Sequence, residues 1–139
     1  MGVNLYNRER YVDPTAYEAI GNVERESKKQ RKPIVFICSP FAGDIAGNIK
    51  RARSYGRFAV SEGVVPIIPH LMYPQFLVED NPKERQLGIE MGLILLSKCK
   101  KIWVFGDVIS AGMKLEINKA KKYSMPIQYF TTDCKRIGG

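Results

Sequence analysis

One carboxylate, placed shortly after a helix start, is the feature of this sequence that points most directly to chemistry. Ser110 is a typical N-cap residue, Gly112 follows in the first turn, and Glu116 lies about one turn further along. Free backbone amides at a helix start favour an anion, and a carboxylate close behind them can act on a molecule held there. The alternative is that Glu116 is only a favourable charge near a helix N-terminus.

Two predicted strands end just before the loops that carry these residues. The apolar run Ile102 to Phe105 ends at Gly106-Asp107, just before the predicted helix, and a second apolar run, Ile34 to Cys38, ends at a small-residue loop. In open α/β sheets, ligands bind beyond the carboxyl ends of the strands. Both loops are therefore expected to lie at the binding edge of one sheet.

Strands and helices alternate along the chain, which predicts a three-layer α/β domain with a flavodoxin-like, parallel sheet of four to five strands. Pro66 favours a sheet edge or a strand end for its segment. Residues 1–32 are interpreted as an N-terminal arm with one helix, and residues 33–139 as the domain. The predicted strands are 34–38, 64–68, 102–105 and 125–130, and the predicted helices are 46–62, 83–98 and one that begins at Ser110. Leu87, Met91, Ile94 and Leu95 form the predicted inner face of helix 83–98.

Composition narrows the function classes. The 139-residue chain carries a formal charge of +8, but its basic residues are spread over several segments without interleaved aromatic residues, so nucleic acid is an unlikely partner. No apolar stretch is long enough to cross a membrane, and the polar N-terminus lacks the apolar core of a signal peptide, so we expect a cytoplasmic protein. Cys38, Cys99 and Cys134 have no zinc-like spacing, and no metal site is predicted.

Two motifs in order carry a family resemblance. The segment 37–43, Ile-Cys-Ser-Pro-Phe-Ala-Gly, together with 110–116, Ser-Ala-Gly-Met-Lys-Leu-Glu, resembles the nucleoside 2-deoxyribosyltransferase-like superfamily. Segments 65–70, 82–85 and 87–92 are similar to a group of small bacterial and phage proteins within it. The resemblance covers about two-thirds of the chain. It implies cleavage or exchange of the N-glycosidic bond of a nucleoside or nucleoside 5′-monophosphate, without a cofactor, in a homo-oligomer.

The resemblance also implies roles for single residues. Glu116 falls at the nucleophilic glutamate, and a carboxylate there suits an oxocarbenium-like transition state. Ser110 and Gly112 fall where nucleotide-cleaving members bind the 5′-phosphate, and residues 39–43 match the loop around sugar and base. Members that transfer deoxyribose usually carry an aspartate where this chain has Gly92. Glu90 and Asp107 are the alternative carboxylates, and a catalytically inactive nucleotide-binding or sensing module is the second hypothesis.

Each predicted binding residue has a structural alternative. Phe41 stacks on a base or fills the core, Gly43 admits a ligand or simply makes a turn, and His70 belongs to the site or is structural. Arg51 binds a phosphate or is an ordinary surface charge, and Arg85 belongs to the site or forms a salt bridge at a helix N-terminus. The predicted substrate-binding residues are Ser39, Pro40, Phe41, Gly43, Asn48, Arg51, His70, Arg85, Ser110, Gly112 and Met113.

Overall fold

The computed structural model describes residues 32–138, and the predicted N-terminal arm and helix lie outside this range apart from Lys32. The elements run in chain order β1 (Ile34–Cys38), α1 (Ile45–Ser61), β2 (Val65–Ile67), α2 (Pro69–Met72), a 3-10 turn (Tyr73–Gln75), α3 (Pro82–Ser97), β3 (Lys101–Phe105), α4 (Ala111–Lys122), β4 (Ile127–Phe130) and β5 (Arg136–Ile137). Within the described residues, no helix has the length and apolar character to cross a membrane.

The sheet has the strand order β2-β1-β3-β4-β5. Its first four strands are parallel, and β5 adds an antiparallel edge to β4. The predicted fold class is therefore confirmed. Strand β2, which contains Pro66, is an edge strand. Proline has no N–H group to donate, and at an edge this does not remove a hydrogen bond between two central strands. The short strand β5 was not predicted, since the polar tail gives no strand pattern.

Alternate residues of the central strands supply two separate cores. Ile37 and Phe105 face α1, where Tyr55 packs against them. Cys38 and Val104 face the opposite side, toward α3 and α4. This follows from the two-residue period of a strand, which sends successive side chains to opposite faces. Cys38, the last residue of β1, is thereby directed toward the helix that carries Glu116.

The predicted inner face of α3 was wrong. Leu87 is 43% exposed and Ile94 is 60% exposed, whereas Gly92 and Leu96 are buried. Since α3 carries apolar residues around most of its circumference, the pattern fixes no face. The helix is rotated by about one residue, or about 100°, from the predicted orientation.

Candidate active site at the carboxyl edge of the sheet

Two cavities lie on opposite sides of the sheet at the carboxyl ends of β1 and β3. The strands β1 and β3 are neighbours, but the chain continues from β1 into α1 on one face of the sheet and from β3 into α4 on the other face. The point between two such strands is the topological switch point, where α/β folds bind ligands. The cavity on the α3 and α4 side measures about 210 Å³ and includes Glu116; we call it the Glu116 pocket. The cavity on the α1 side measures about 230 Å³ and includes Ser39; we call it the Ser39 cavity.

The predicted site residues divide between these two cavities. The Glu116 pocket is lined by Phe41, His70, Arg85, Ser110, Gly112, Met113 and Glu116. The Ser39 cavity is lined by Ser39, Pro40, Asn48, Arg51 and Asp107. Gly43 and Glu90 line neither cavity. One loop thus contributes to both, since its residues 39 and 40 lie on one side and residues 41 and 42 on the other.

Glu116 has the most unusual environment of the predicted catalytic residues. It is partly buried on α4, and its Oε1 atom is buried without a hydrogen-bond partner among the described residues. Burial raises the pKa of Glu116 to about 7, and the neighbouring Cys38 thiol has a smaller effect in the opposite direction. A carboxyl group with this pKa can gain or lose its proton near neutral pH, which is a property of catalytic carboxyl groups.

Cys38 is the neighbour that links β1 to this carboxyl group. Its Sγ lies 3.9 Å from the carbonyl oxygen of Met113, in the first turn of α4. Burial raises the pKa of the Cys38 thiol well above its usual value, and the nearby Glu116 charge adds to that effect. The sulfur therefore stays protonated at neutral pH, and its S–H group donates to the Met113 carbonyl oxygen.

The start of α4 has the form that the sequence predicted. The Ser110 Oγ accepts a hydrogen bond of 3.2 Å from the Met113 N–H, and the Lys114 N–H bonds to the Ser110 carbonyl oxygen. Ser110 is therefore the N-cap, and the N–H groups of Ala111 and Gly112 have no partner among the described residues. These two amides are the ones available to an oxyanion at the pocket.

Phe41 and His70 form a second wall of the Glu116 pocket. Their rings stack with centroids 5.0 Å apart and an interplanar angle of 28°. The Nε2 atom of His70 lies 3.0 Å from the carbonyl oxygen of Ser39, so the ring joins α2 to the loop after β1. Burial lowers the pKa of His70, and the imidazole is neutral at physiological pH.

Several pocket residues were not predicted as site residues. Tyr73, Leu77, Glu79 and Glu84 all come from the segment between β2 and the first turn of α3. The Glu84 Oε1 accepts a hydrogen bond of 3.1 Å from the Val78 N–H, and Glu79 lies 3.9 Å from Arg85. The length of the segment after His70 was the signal in the sequence, since long connections in compact domains are usually functional.

Gly92 also lines the Glu116 pocket, from the buried side of α3. A Cβ atom placed there would lie 3.9 Å from the Pro69 side chain, which is an ordinary van der Waals distance. The site therefore has room for at least the first atom of a side chain. The pocket has no carboxylate at this position, in keeping with the departure from the family pattern noted in the sequence.

Asn48 holds the shared loop in place. Its Nδ2 donates hydrogen bonds of 2.9 Å and 3.0 Å to the carbonyl oxygens of Phe41 and Ala42. Its Oδ1 accepts a bond of 2.8 Å from Arg51, which also pairs with Asp44 at 3.5 Å. Gly43, with a φ of +91°, makes the turn in a conformation that favours glycine. Asn48 and Gly43 thus act here through the backbone of the loop.

The Ser39 cavity also contains a buried polar group. Ser39 is 1% exposed, and its Oγ has no hydrogen-bond partner among the described residues. Arg51 and Asp107 line the same cavity but form no ion pair with each other within the described residues. The described part of the chain holds no cluster of three metal-ligating side chains in either cavity.

Comparisons with known proteins identify a family and a fold. The sequence model described as "Domain of unknown function (DUF7768)" matches residues 33–130. No curated protein matches the sequence. Among solved structures, the chain is similar to a 2-deoxyribosyltransferase from the psychrotolerant bacterium Bacillus psychrosaccharolyticus, described as a biocatalyst for the synthesis of antiviral and antitumoral nucleosides. The TM-score is 0.59 at 14% identity, and the match covers 70% of this chain and 72% of the other, which shows a shared fold.

Proposed function

We propose that this chain, which belongs to the family of the domain of unknown function DUF7768, cleaves or transfers the N-glycosidic bond of a nucleoside or nucleoside 5′-monophosphate. The observation that carries this proposal is the Glu116 carboxyl group, with a buried and unpartnered Oε1, at the pocket beyond the ends of β1 and β3. The fold shared with a 2-deoxyribosyltransferase supports the same chemistry.

The reaction begins with attack of the ionised Glu116 carboxylate on the anomeric carbon of the sugar. A bond forms between that carbon and a carboxylate oxygen while the bond to the base nitrogen breaks, and its electron pair leaves with the base. Water or a second base then attacks the same carbon and releases Glu116. The apolar surroundings of Glu116 strengthen its interaction with the positive charge that develops on the sugar.

The departing base needs a proton, and the pocket offers two carboxyl groups besides Glu116. Glu79 and Glu84 line the same pocket, whereas Asp107 lies in the Ser39 cavity and Glu90 is exposed on α3. We assign the proton donor to Glu79 or Glu84. Glu84→Gln and Glu79→Gln distinguish them, because only loss of the donor slows substrates whose bases leave poorly while sparing those whose bases leave easily.

The main test is base release by the purified protein. A panel of nucleosides, their 5′-monophosphates and NAD is incubated with and without an acceptor base, and products are separated by chromatography. We expect release or exchange by the wild type and none by Glu116→Ala. Because the nucleophile must be ionised, the rate should fall below pH 7, following the pKa of Glu116 of about 7. Equal rates in wild type and variant would refute the role of Glu116.

A second candidate function is a nucleotide-binding or sensing module without turnover. It is favoured by Gly92, which leaves the pocket without the carboxylate of the deoxyribose-transferring enzymes. In that case, nucleotides raise the melting temperature of the wild type without any base release. Glu116→Ala would then change the binding affinity alone.

A further inference from the structure

His70 offers a hydrogen-bond acceptor to the Glu116 pocket, and this follows from the bond on the other side of its ring. The Nε2 atom lies 3.0 Å from the Ser39 carbonyl oxygen. A carbonyl oxygen can only accept, so Nε2 must carry the proton of this hydrogen bond. In a neutral imidazole, only one ring nitrogen is protonated, and Nδ1 is then left with its lone pair.

The imidazole is neutral for a physical reason. Burial lowers the pKa of His70, while the hydrogen bond to the Ser39 backbone acts in the opposite direction and is the smaller effect. At neutral pH the ring therefore holds one proton, and the Ser39 carbonyl fixes which nitrogen has it.

The Nδ1 atom is accessible. It has no hydrogen-bond partner among the described residues. The buried side-chain polar atoms without a partner in that part of the chain are the Ser39 Oγ and the Glu116 Oε1, so the unpartnered Nδ1 is not a buried atom. His70 as a whole is partly exposed and lines the Glu116 pocket. An accessible lone pair in the wall of a pocket is satisfied when a ligand supplies an N–H or O–H group.

The surroundings hold the ring in one orientation. Phe41 stacks on one face of the imidazole, and Asn48 fixes the backbone of Phe41 through its hydrogen bond to the carbonyl oxygen. Pro69, the residue before His70, is buried at the start of α2, against the α3 position of Gly92. Because the ring is held before a ligand arrives, the acceptor can discriminate without a large loss of side-chain entropy.

We propose that His70 determines substrate specificity by accepting, at Nδ1, a hydrogen bond from an N–H group of the base or an O–H group of the sugar. This inference rests on the proposed function in taking nucleosides as the ligands. It extends it by naming the group that the ligand must carry. Substrates without that donor leave Nδ1 unpaired in the pocket and bind more weakly.

The test measures binding of analogues that each lack one donor. Purine riboside lacks the amino group of adenosine, and the 2′-, 3′- and 5′-deoxyadenosines each lack one hydroxyl group. Dissociation constants are measured by calorimetry for the wild type. We expect one of these four deletions to weaken binding about tenfold, which corresponds to the loss of one hydrogen bond. The position of the effect separates a base donor from a sugar donor.

Two variants separate recognition from bracing. In His70→Gln, the amide nitrogen can replace Nε2 and still donate to Ser39, while the Nδ1 acceptor is lost. In His70→Asn, the shorter amide can place an oxygen near the Nδ1 position, while the bond to Ser39 is lost. We expect His70→Gln to bind the complete nucleoside and the sensitive analogue within about threefold of each other, and His70→Asn to keep the wild-type preference.

The outcomes are distinct. Discrimination by His70→Gln equal to that of the wild type overturns the inference and leaves His70 as a brace between α2 and the loop. Equal binding of all five compounds by the wild type overturns it as well. Discrimination by the wild type without any base release supports the inference and contradicts the glycosyl chemistry. Binding of none of the five, and of no other compound in the base-release panel, contradicts both. Melting curves of both variants confirm that each is folded.

Discussion

The Glu116 pocket and the Ser39 cavity occupy the same edge of one sheet but have different chemistry. The pocket combines apolar side chains from α2 and α3 with a carboxyl group whose pKa is raised to about 7 by burial. Both regions also have exposed charged residues, Glu79 and Arg85 in the pocket and Arg51 and Asp107 in the cavity. The buried polar group of the cavity is the Ser39 hydroxyl and not a carboxyl group. A charge in apolar surroundings interacts more strongly with a reacting group than a charge that solvent screens. The burial of Glu116 therefore favours the pocket as the reaction site.

Replacing one carboxylate in each region by an amide tests which of the two carries the reaction. Glu116→Gln should lower kcat for base release at least about 1,000-fold, because the amide cannot act as the nucleophile. Asp107→Asn, the matched carboxylate-to-amide change in the Ser39 cavity, should change kcat less than about tenfold. A greater loss in Asp107→Asn than in Glu116→Gln would move the reaction to the other cavity.

A carboxylate added at position 92 tests whether proton donation limits the reaction in the Glu116 pocket. If proton donation limits the rate, Gly92→Asp should raise kcat about 10-fold or more, since general acid catalysis contributes about 100-fold or more. Gly92→Asn is the control, with nearly the same shape and no acidic proton. Equal rates in the two variants would show that a carboxyl group at this position does not assist the reaction.

The raised pKa of Glu116 also predicts a pH-dependent stability. The folded state keeps a proton that the unfolded chain releases between pH 4.5 and about 7, so the free energy of unfolding falls as the pH rises through this range. At about 1.4 kcal/mol per pH unit, the loss is about 3 kcal/mol. Glu116→Gln should escape it, and urea unfolding at pH 4 and pH 8 measures the difference. Parallel pH curves for variant and wild type would contradict the burial of the charge.

Asn48 tests the loop that serves both regions. Asn48→Asp keeps an acceptor for Arg51 but removes the two N–H bonds to the carbonyl oxygens of Phe41 and Ala42. We expect a loss of about 1–3 kcal/mol in the free energy of unfolding, because two loop carbonyl groups lose their partner. Binding to the Glu116 pocket should weaken in parallel, which calorimetry measures. A loss of stability with unchanged affinity would show that the pocket does not depend on this loop.

One arginine at each cavity allows a comparison of what an exposed ion pair and a braced one contribute to the free energy of unfolding. Arg85 and Glu79 are both exposed and lie 3.9 Å apart, so Arg85→Ala should cost less than about 0.5 kcal/mol. Arg51 bonds at 2.8 Å to the buried Asn48, and Arg51→Ala should cost about 1 kcal/mol or more. The same urea titrations check both values, and the reverse order would contradict the bracing role of Asn48.

Much of the fold was predictable from the sequence. Apolar runs such as 34–38 and 102–105 are typical of buried strands, and their alternation with helices predicted the α/β class. Pro66 predicted a sheet edge or a strand end, and the structure places β2 at the edge. The orientation of α3 did not follow, because a helix that is apolar on most sides has no preferred face. Strand β5 escaped prediction because its pairing with β4 depends on a turn and not on its own residues.

For the site, local patterns determined only part of the arrangement. Ser110 as N-cap and Glu116 behind it follow from helix geometry within one segment and were predictable from the residues of that segment. Ser39 and Phe41, two residues apart, line cavities on opposite sides of the sheet, and this depends on how the strands and helices pack. The same packing brings Cys38 close to Glu116 and places Glu79 and Glu84 at the same pocket. Burial and long-range contacts set the pKa of Glu116, and neither is encoded in the spacing of neighbouring residues.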